Sequence, residues 1–169
     1  MSIPLNPRGP LNPQGPLNPQ GPPNPQGPTG PAGQPSAYDR MGGHEMFAAL
    51  IHRFYENVAR TPELRALYPE ADLGPAEERL RMFFEQYWGG PGEYSARRGH
   101  PRLRMRHAGF RVTPAQRDRW LDCMREAIGT VDLDDEMREV LWTYCVRAAD
   151  SMVNSLDAAT DPADRRGLL

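Results

Sequence analysis

The chain has 169 residues, with 20 basic residues that are all arginine, 22 acidic residues and two cysteines. A formal net charge of -2 exerts no overall pull on nucleic acid or an anionic membrane, so any partner has to be recognised by a local feature. No apolar run approaches the roughly 20 residues of a membrane-crossing helix; Cys123 and Cys145 are expected as separate buried thiols acting as small hydrophobes in a cytoplasmic protein, not as a disulfide.

Residues 5–28 repeat a six-residue unit four times: Leu-Asn-Pro-Arg-Gly-Pro, Leu-Asn-Pro-Gln-Gly-Pro twice, and Pro-Asn-Pro-Gln-Gly-Pro. Proline removes backbone donors and glycine raises the entropy of the unfolded chain, so residues 1–36 read as a disordered tail rich in polyproline II. A collagen triple helix is excluded because alternate triplets carry Asn where only Gly fits at the axis. Residues 37–156 form the expected domain, and 157–169 a polar C-terminal tail.

After Gly42-Gly43 the pattern turns helical, with Met46, Phe47, Leu50, Ile51, Phe54, Tyr55 and Val58 recurring at intervals of three and four. Thr61-Pro62 ends that helix near Arg60. A short turn over Glu63–Leu67 leads to Tyr68-Pro69. The next helix opens with Pro75 in its first turn and the acids Glu77 and Glu78 at the positive end of its dipole, and runs to Trp88 before Gly89-Gly90-Pro91. Gly92–Gly99 is expected as loop and Pro101–Arg106 as a single short helix. Thr113-Pro114-Ala115-Gln116 spells a capping box that opens a helix with Trp120, Met124, Ala127, Ile128 and Val131 inward, ending at Gly129. The last helix starts at Asp134, turns Met137, Val140, Leu141, Tyr144, Ala148 and Met152 inward, and finishes around Asn154 to Leu156. No strand pattern is present, so the expected class is all-α.

His44, His52, His100 and His107 have neither the H-E-x-x-H spacing nor a nearby cysteine, which disfavours zinc. Nucleophile-elbow, P-loop and dinucleotide-binding glycine patterns are absent. The paired acids Glu77-Glu78 and Asp134-Asp135-Glu136 fall at helix starts, where dipole stabilisation and solvation account for them. What stands out is His107, set between an upstream wall of Leu80, Phe83, Phe84, Tyr87 and Trp88 and a downstream wall beginning at Trp120. Two such helices can enclose a flat apolar cofactor, and arginines at its edge can neutralise carboxylates.

These residues also carry a family pattern. Tyr38-Asp39 with Gly42-Gly43, Arg53-Phe54-Tyr55, Leu67-Tyr68-Pro69-Glu70, Ala76-Glu77-Glu78-Arg79-Leu80, Gln86-Tyr87-Trp88-Gly89-Gly90-Pro91, the run Gly99 to His107, and Trp120 together resemble a group II truncated haemoglobin over residues 37–156. The resemblance implies a two-over-two helical sandwich holding haem b, with its iron on His107. It implies Tyr55, Tyr68 and Trp120 as distal polar residues, and Ala76 and Leu80 as distal helix positions facing the iron. Ala76 lacks the hydrogen bond of a distal histidine, so the two phenols and the indole have to supply the donors. Arg79 and Arg106, with Tyr94, are implied as propionate partners, and Phe83, Leu103 and Met105 as packing on the ring; Arg104 suits a solvated face.

The expected function is binding of molecular oxygen, with nitric oxide or carbon monoxide as further ligands, at a five-coordinate iron whose open position accepts a diatomic gas. Hydrogen bonds from Tyr55, Tyr68 and Trp120 imply slow release. A haem-dependent peroxidase or nitric oxide dioxygenase using the same iron is the alternative, and a haem-free helical module presenting the tail is the third possibility. Expected partners are the gas and a reductase, with no nucleic acid and no membrane, for a monomer or small homo-oligomer.

Overall fold

The computed structural model describes residues 34–155. The repeats and residues 156–169 lie outside that range. Among the described residues every regular element is helical: α1 Ala37–Arg40, α2 Gly43–Arg60, α3 Pro62–Arg65, α4 Gly74–Tyr87, α5 Glu93–Arg98, α6 Leu103–His107, α7 Pro114–Ile128 and α8 Asp135–Met152.

The core follows from the apolar stripe of α2, which buries Phe47, Leu50, Ile51, Phe54 and Val58 completely. That stripe faces two ways, packing α2 on α4 and on α7, while α7 packs on α8. Two helical pairs therefore lie one over the other, as expected. Met124, Leu141 and Cys145 fill the lower layer, and both thiols are free and buried.

Several boundaries differ from expectation for local reasons. Ser36, assigned to the tail, is 2% exposed and forms a capping box with Asp39 that starts the short α1. The segment expected as loop contains α5, whose Tyr94 is buried and whose Ser95 is held by both ends of the Gln86 amide, at 2.7 and 2.8 Å. Six residues are too few to show a helical period, so this element escaped the pattern. α6 starts two residues later than expected and ends one residue later, making His107 its last residue. α8 ends at Met152, short of the expected Asn154, because the Asn154 side chain leaves the helix axis to bond the backbone of residues 107–112.

The expected capping box of α7 is present, with Thr113 accepting from the Gln116 backbone and Gln116 from the Thr113 backbone. α1 is latched to the end of α4 by Tyr38 N–H donating to the Trp88 carbonyl at 2.8 Å. His44 joins the same region, its ring 2.8 Å from a Glu85 carboxylate that is only 3% exposed and that Arg81 also pairs with at 2.9 Å. A buried carboxylate has to be paired, and this one ties α2 to α4.

A haem-type site between α4, α6 and α7

His107 lies at the C-terminal end of α6, and its Nδ1 is 2.8 Å from the backbone carbonyl of Leu103, one turn earlier. A carbonyl only accepts, so Nδ1 carries the proton and Nε2 is left as the lone-pair nitrogen. A bond of this kind can fix the tautomer and ring plane of an imidazole that ligates a metal. Asn154 donates to the His107 carbonyl at 3.3 Å and to the Phe110 carbonyl at 2.9 Å, pinning the end of α6 to the end of α8.

Tyr55, Tyr68 and Trp120 join one aromatic cluster through Phe54. Phe54 contacts Trp120 with ring centroids 5.2 Å apart and Tyr55 at 5.1 Å; Tyr55 meets Tyr68 edge-on at 5.7 Å. The residues come from α2, the turn after α3 and α7, so only the tertiary fold joins them. The Tyr55 ring is buried and the Tyr68 ring partly buried beside it. Each phenol carries one O–H that can be given to a guest.

Burial, reinforced by Tyr68, pushes the Tyr55 phenol far above its usual range. Burial also raises Tyr68, with Tyr55 and Arg79 opposing it. Both are therefore neutral donors at any ordinary pH. Ala76 is buried and Leu80 half-buried on the α4 face nearby.

A further group forms around α5. Phe83 meets Tyr94 at 5.5 Å and the Arg106 guanidinium lies 5.9 Å over the Tyr94 ring. Arg106 is largely engaged by its own loop, donating to the Pro101 carbonyl at 2.8 Å and the Arg98 carbonyl at 2.6 Å. Arg79 pairs with Glu70 at 2.9 Å. Met105 was expected to pack on the ring. On α6 it falls opposite the face shared by Leu103 and His107 and is 68% exposed, because two residues of helix turn a side chain by about 200°. Arg104 is exposed, as a solvated face requires.

Two supporting residues were invisible in the sequence. Arg65 donates to the carbonyls of Tyr68, Glu70 and Ala71 at 3.0, 2.8 and 3.0 Å and so holds the turn that presents Tyr68. Asn154 does the same for His107. Both act on backbone atoms, and no side-chain pattern announces such contacts. A separate groove of about 390 Å³ between the end of α2 and α7, lined by Asn57, Thr61, Cys123 and neighbouring charged residues, contains none of the expected site residues.

The residues fit a haem. Among the described residues no three His, Cys, Asp or Glu side chains gather to hold a bare metal ion. A single imidazole with a free Nε2 suits a metal that brings its other ligands in a macrocycle. The Tyr87 hydroxyl on the same α4 face is buried without a partner, and an orphaned buried hydroxyl points to something missing from its surroundings. An all-α two-layer sandwich with one imidazole oriented by a backbone carbonyl, and an aromatic cluster built from α2, the turn after α3 and α7, defines the class: a shortened globin.

Comparison with known proteins gives the same answer. The family model for bacterial-like globins matches residues 36–154. The chain is 40% identical over 116 residues to the group 2 truncated haemoglobin YjbI of Bacillus subtilis, covering 69% of this chain and 87% of that protein. Among solved structures, a thermostable haemoglobin from the actinobacterium Thermobifida fusca superposes with a TM-score of 0.70 at 56% identity, over 70% of this chain and 97% of that one. The truncated oxygen-avid haemoglobin of Bacillus subtilis does so with a TM-score of 0.67 at 39% identity, over 70% and 99%. The chain belongs to the bacterial-like globins and, within them, to the group II truncated haemoglobins, whose cofactor is haem iron.

Proposed function

We propose that this protein binds molecular oxygen at a haem iron held by His107 Nε2 and releases it slowly. The observation that carries the proposal is the 2.8 Å contact from His107 Nδ1 to the Leu103 carbonyl, which leaves Nε2 as the ligating nitrogen. The oxygen avidity of the Bacillus subtilis relative supports it.

When bound, the haem supplies an iron with one position open to a diatomic gas. The chain does the rest. Phe83 and Leu103 would offer apolar surface, and Arg79 and Arg106, now held by Glu70 and by the Pro101 and Arg98 carbonyls, are the guanidiniums that would pair the haem's carboxylates, with Arg106 lying over the Tyr94 ring. Tyr55 and Tyr68 offer phenol O–H donors to the guest, with the Trp120 indole joined to them through Phe54. A net hydrogen bond of about 0.5–1.5 kcal/mol slows escape by roughly two- to tenfold.

The test is an optical spectrum of the purified full-length protein, reduced and then exposed to carbon monoxide. We expect a Soret band that shifts on adding the gas, and loss of both band and shift in His107→Ala. A His107→Ala protein with an unchanged spectrum would put the ligand elsewhere and end the proposal.

A further inference from the structure

Residues 94–117 hold seven of the chain's 20 arginines and none of its 22 acidic residues. In a chain of net charge -2 this is a strong local excess, and it surrounds α6 and its terminal His107. Some of these arginines are engaged: Arg97 pairs with Glu78 and Glu93, Arg117 with Asp118 and Asp150, and Arg106 with backbone carbonyls. Arg98, Arg102 and Arg104 are exposed, and among the described residues no carboxylate forms an ion pair with them.

The same stretch exposes two large apolar side chains, Met105 at 68% and Phe110 at 49%. It is also tied in place. Arg106 bonds the Arg98 carbonyl at 2.6 Å, and Asn154 bonds the Phe110 carbonyl at 2.9 Å, so the charges and the apolar pair ride on one fixed surface. Unpaired guanidinium groups around exposed Met and Phe have the composition of a protein interface, and guanidinium forks match carboxylates bidentately.

We propose that the α5–α6 face, with Arg98, Arg102 and Arg104 around Met105 and Phe110, docks an acidic one-electron carrier protein that keeps the iron ferrous. This rests on the haem assignment above. An acidic carrier is favoured because Arg104 precedes His107 by three residues, about 4.5 Å along a helix axis, which brings the partner close to the iron ligand. The step is the transfer of one electron from a reduced carrier to ferric iron, with no bond formed or broken and no atom moved. An anionic membrane is a poorer occupant. Two apolar side chains, only one of them on a five-residue helix, offer little surface to insert.

The probe is an acidic plant-type [2Fe–2S] ferredoxin, reduced in advance and mixed with the ferric full-length protein under carbon monoxide. We expect the bimolecular reduction rate to fall at least tenfold between about 20 mM and about 500 mM salt. The triple variant R98E/R102E/R104E should be at least tenfold slower at low salt and insensitive to salt, while dithionite reduces variant and parent at equal rates. Binding of the chain to immobilised oxidised ferredoxin, read without reference to haem, should weaken in the same variant.

Equal ferredoxin rates and equal binding in variant and parent would overturn the proposal. So would arginine-dependent binding to phosphatidylserine vesicles with ferredoxin binding unchanged, which would assign the face to a lipid surface. Residues 156–169, which carry three aspartates and follow the end of α8 beside Phe110, are the other occupant to test. A tenfold faster ferredoxin reaction on deleting them would give the face to the chain's own tail and overturn the carrier. A protein with no Soret band that still binds ferredoxin through these arginines would leave the docking face standing and remove the haem assignment instead.

Discussion

Tyr55 and Tyr68 show how little a residue name decides without its neighbours. Each phenol is an ordinary core side chain until the fold sets the two rings edge-on, 5.7 Å apart, and burial keeps both hydroxyls protonated. Tyr68→Phe and Tyr55→Phe should each raise the oxygen dissociation rate by roughly two- to tenfold, with the double variant well short of the product because the pair acts as a unit. Stopped-flow displacement of oxygen by carbon monoxide measures this, and an unchanged rate in both single variants would remove the phenols from ligand control. His107 was legible because its aromatic walls frame it in sequence. Arg65, which holds the Tyr68 turn, was not, since its partners are three backbone carbonyls that no residue pattern encodes.

At the level of elements, caps and close approaches decide what the apolar stripes leave open. The Thr113–Gln116 box starts α7, the helix that carries Trp120, and Thr113→Ala should lower stability by about 1 kcal/mol in urea unfolding. A larger loss is expected at Gly90, where a β-carbon would lie 2.7 Å from the Tyr38 ring and 2.9 Å from the Glu85 carbonyl. Gly90→Ala has to push α1 away from the end of α4, at a cost of about 1–3 kcal/mol, and a variant that melts with the parent would contradict that packing. The long helices α2, α4, α7 and α8 were legible in the sequence, each having enough turns for its period to show. α5 was missed and α6 starts two residues and ends one residue later than expected, because short helices take their limits from contacts: Gln86 with Ser95 in one case, Asn154 with the His107 and Phe110 carbonyls in the other.

For the whole molecule, the buried phenols set an upper limit of pH. The hydroxyls of Tyr55, Tyr68, Tyr87 and Tyr144 hold their protons more tightly folded than unfolded, chiefly through burial, which pushes Tyr87 up to about 12. Their contribution is therefore complete below the unfolded value of about 10 and is lost as pH rises through the folded values. Chemical denaturation followed by circular dichroism should give constant stability as far as these groups are concerned from pH 7 to 9, with a fall above about pH 10 of up to about 1.4 kcal/mol per pH unit for each phenol that stays protonated. Stability that is flat to pH 12 would mean the rings are less enclosed than described. The N-terminal repeats form a second whole-molecule question. Removing residues 1–33 should leave oxygen affinity and melting temperature unchanged, whereas removing residues 1–36 also takes the Ser36 cap of α1 and should cost stability.

The sequence by itself determined the all-α class, the four long helices and the solitary imidazole, since periodicity, caps and an isolated histidine between aromatic runs are properties of neighbouring residues. Only the tertiary structure decided which nitrogen of His107 is free, that Met105 faces solvent, and that the donors of α2, the turn after α3 and α7 converge. Those depend on backbone carbonyls, on where a short helix starts and ends and on contacts between segments far apart in the chain, none of which a local pattern can carry.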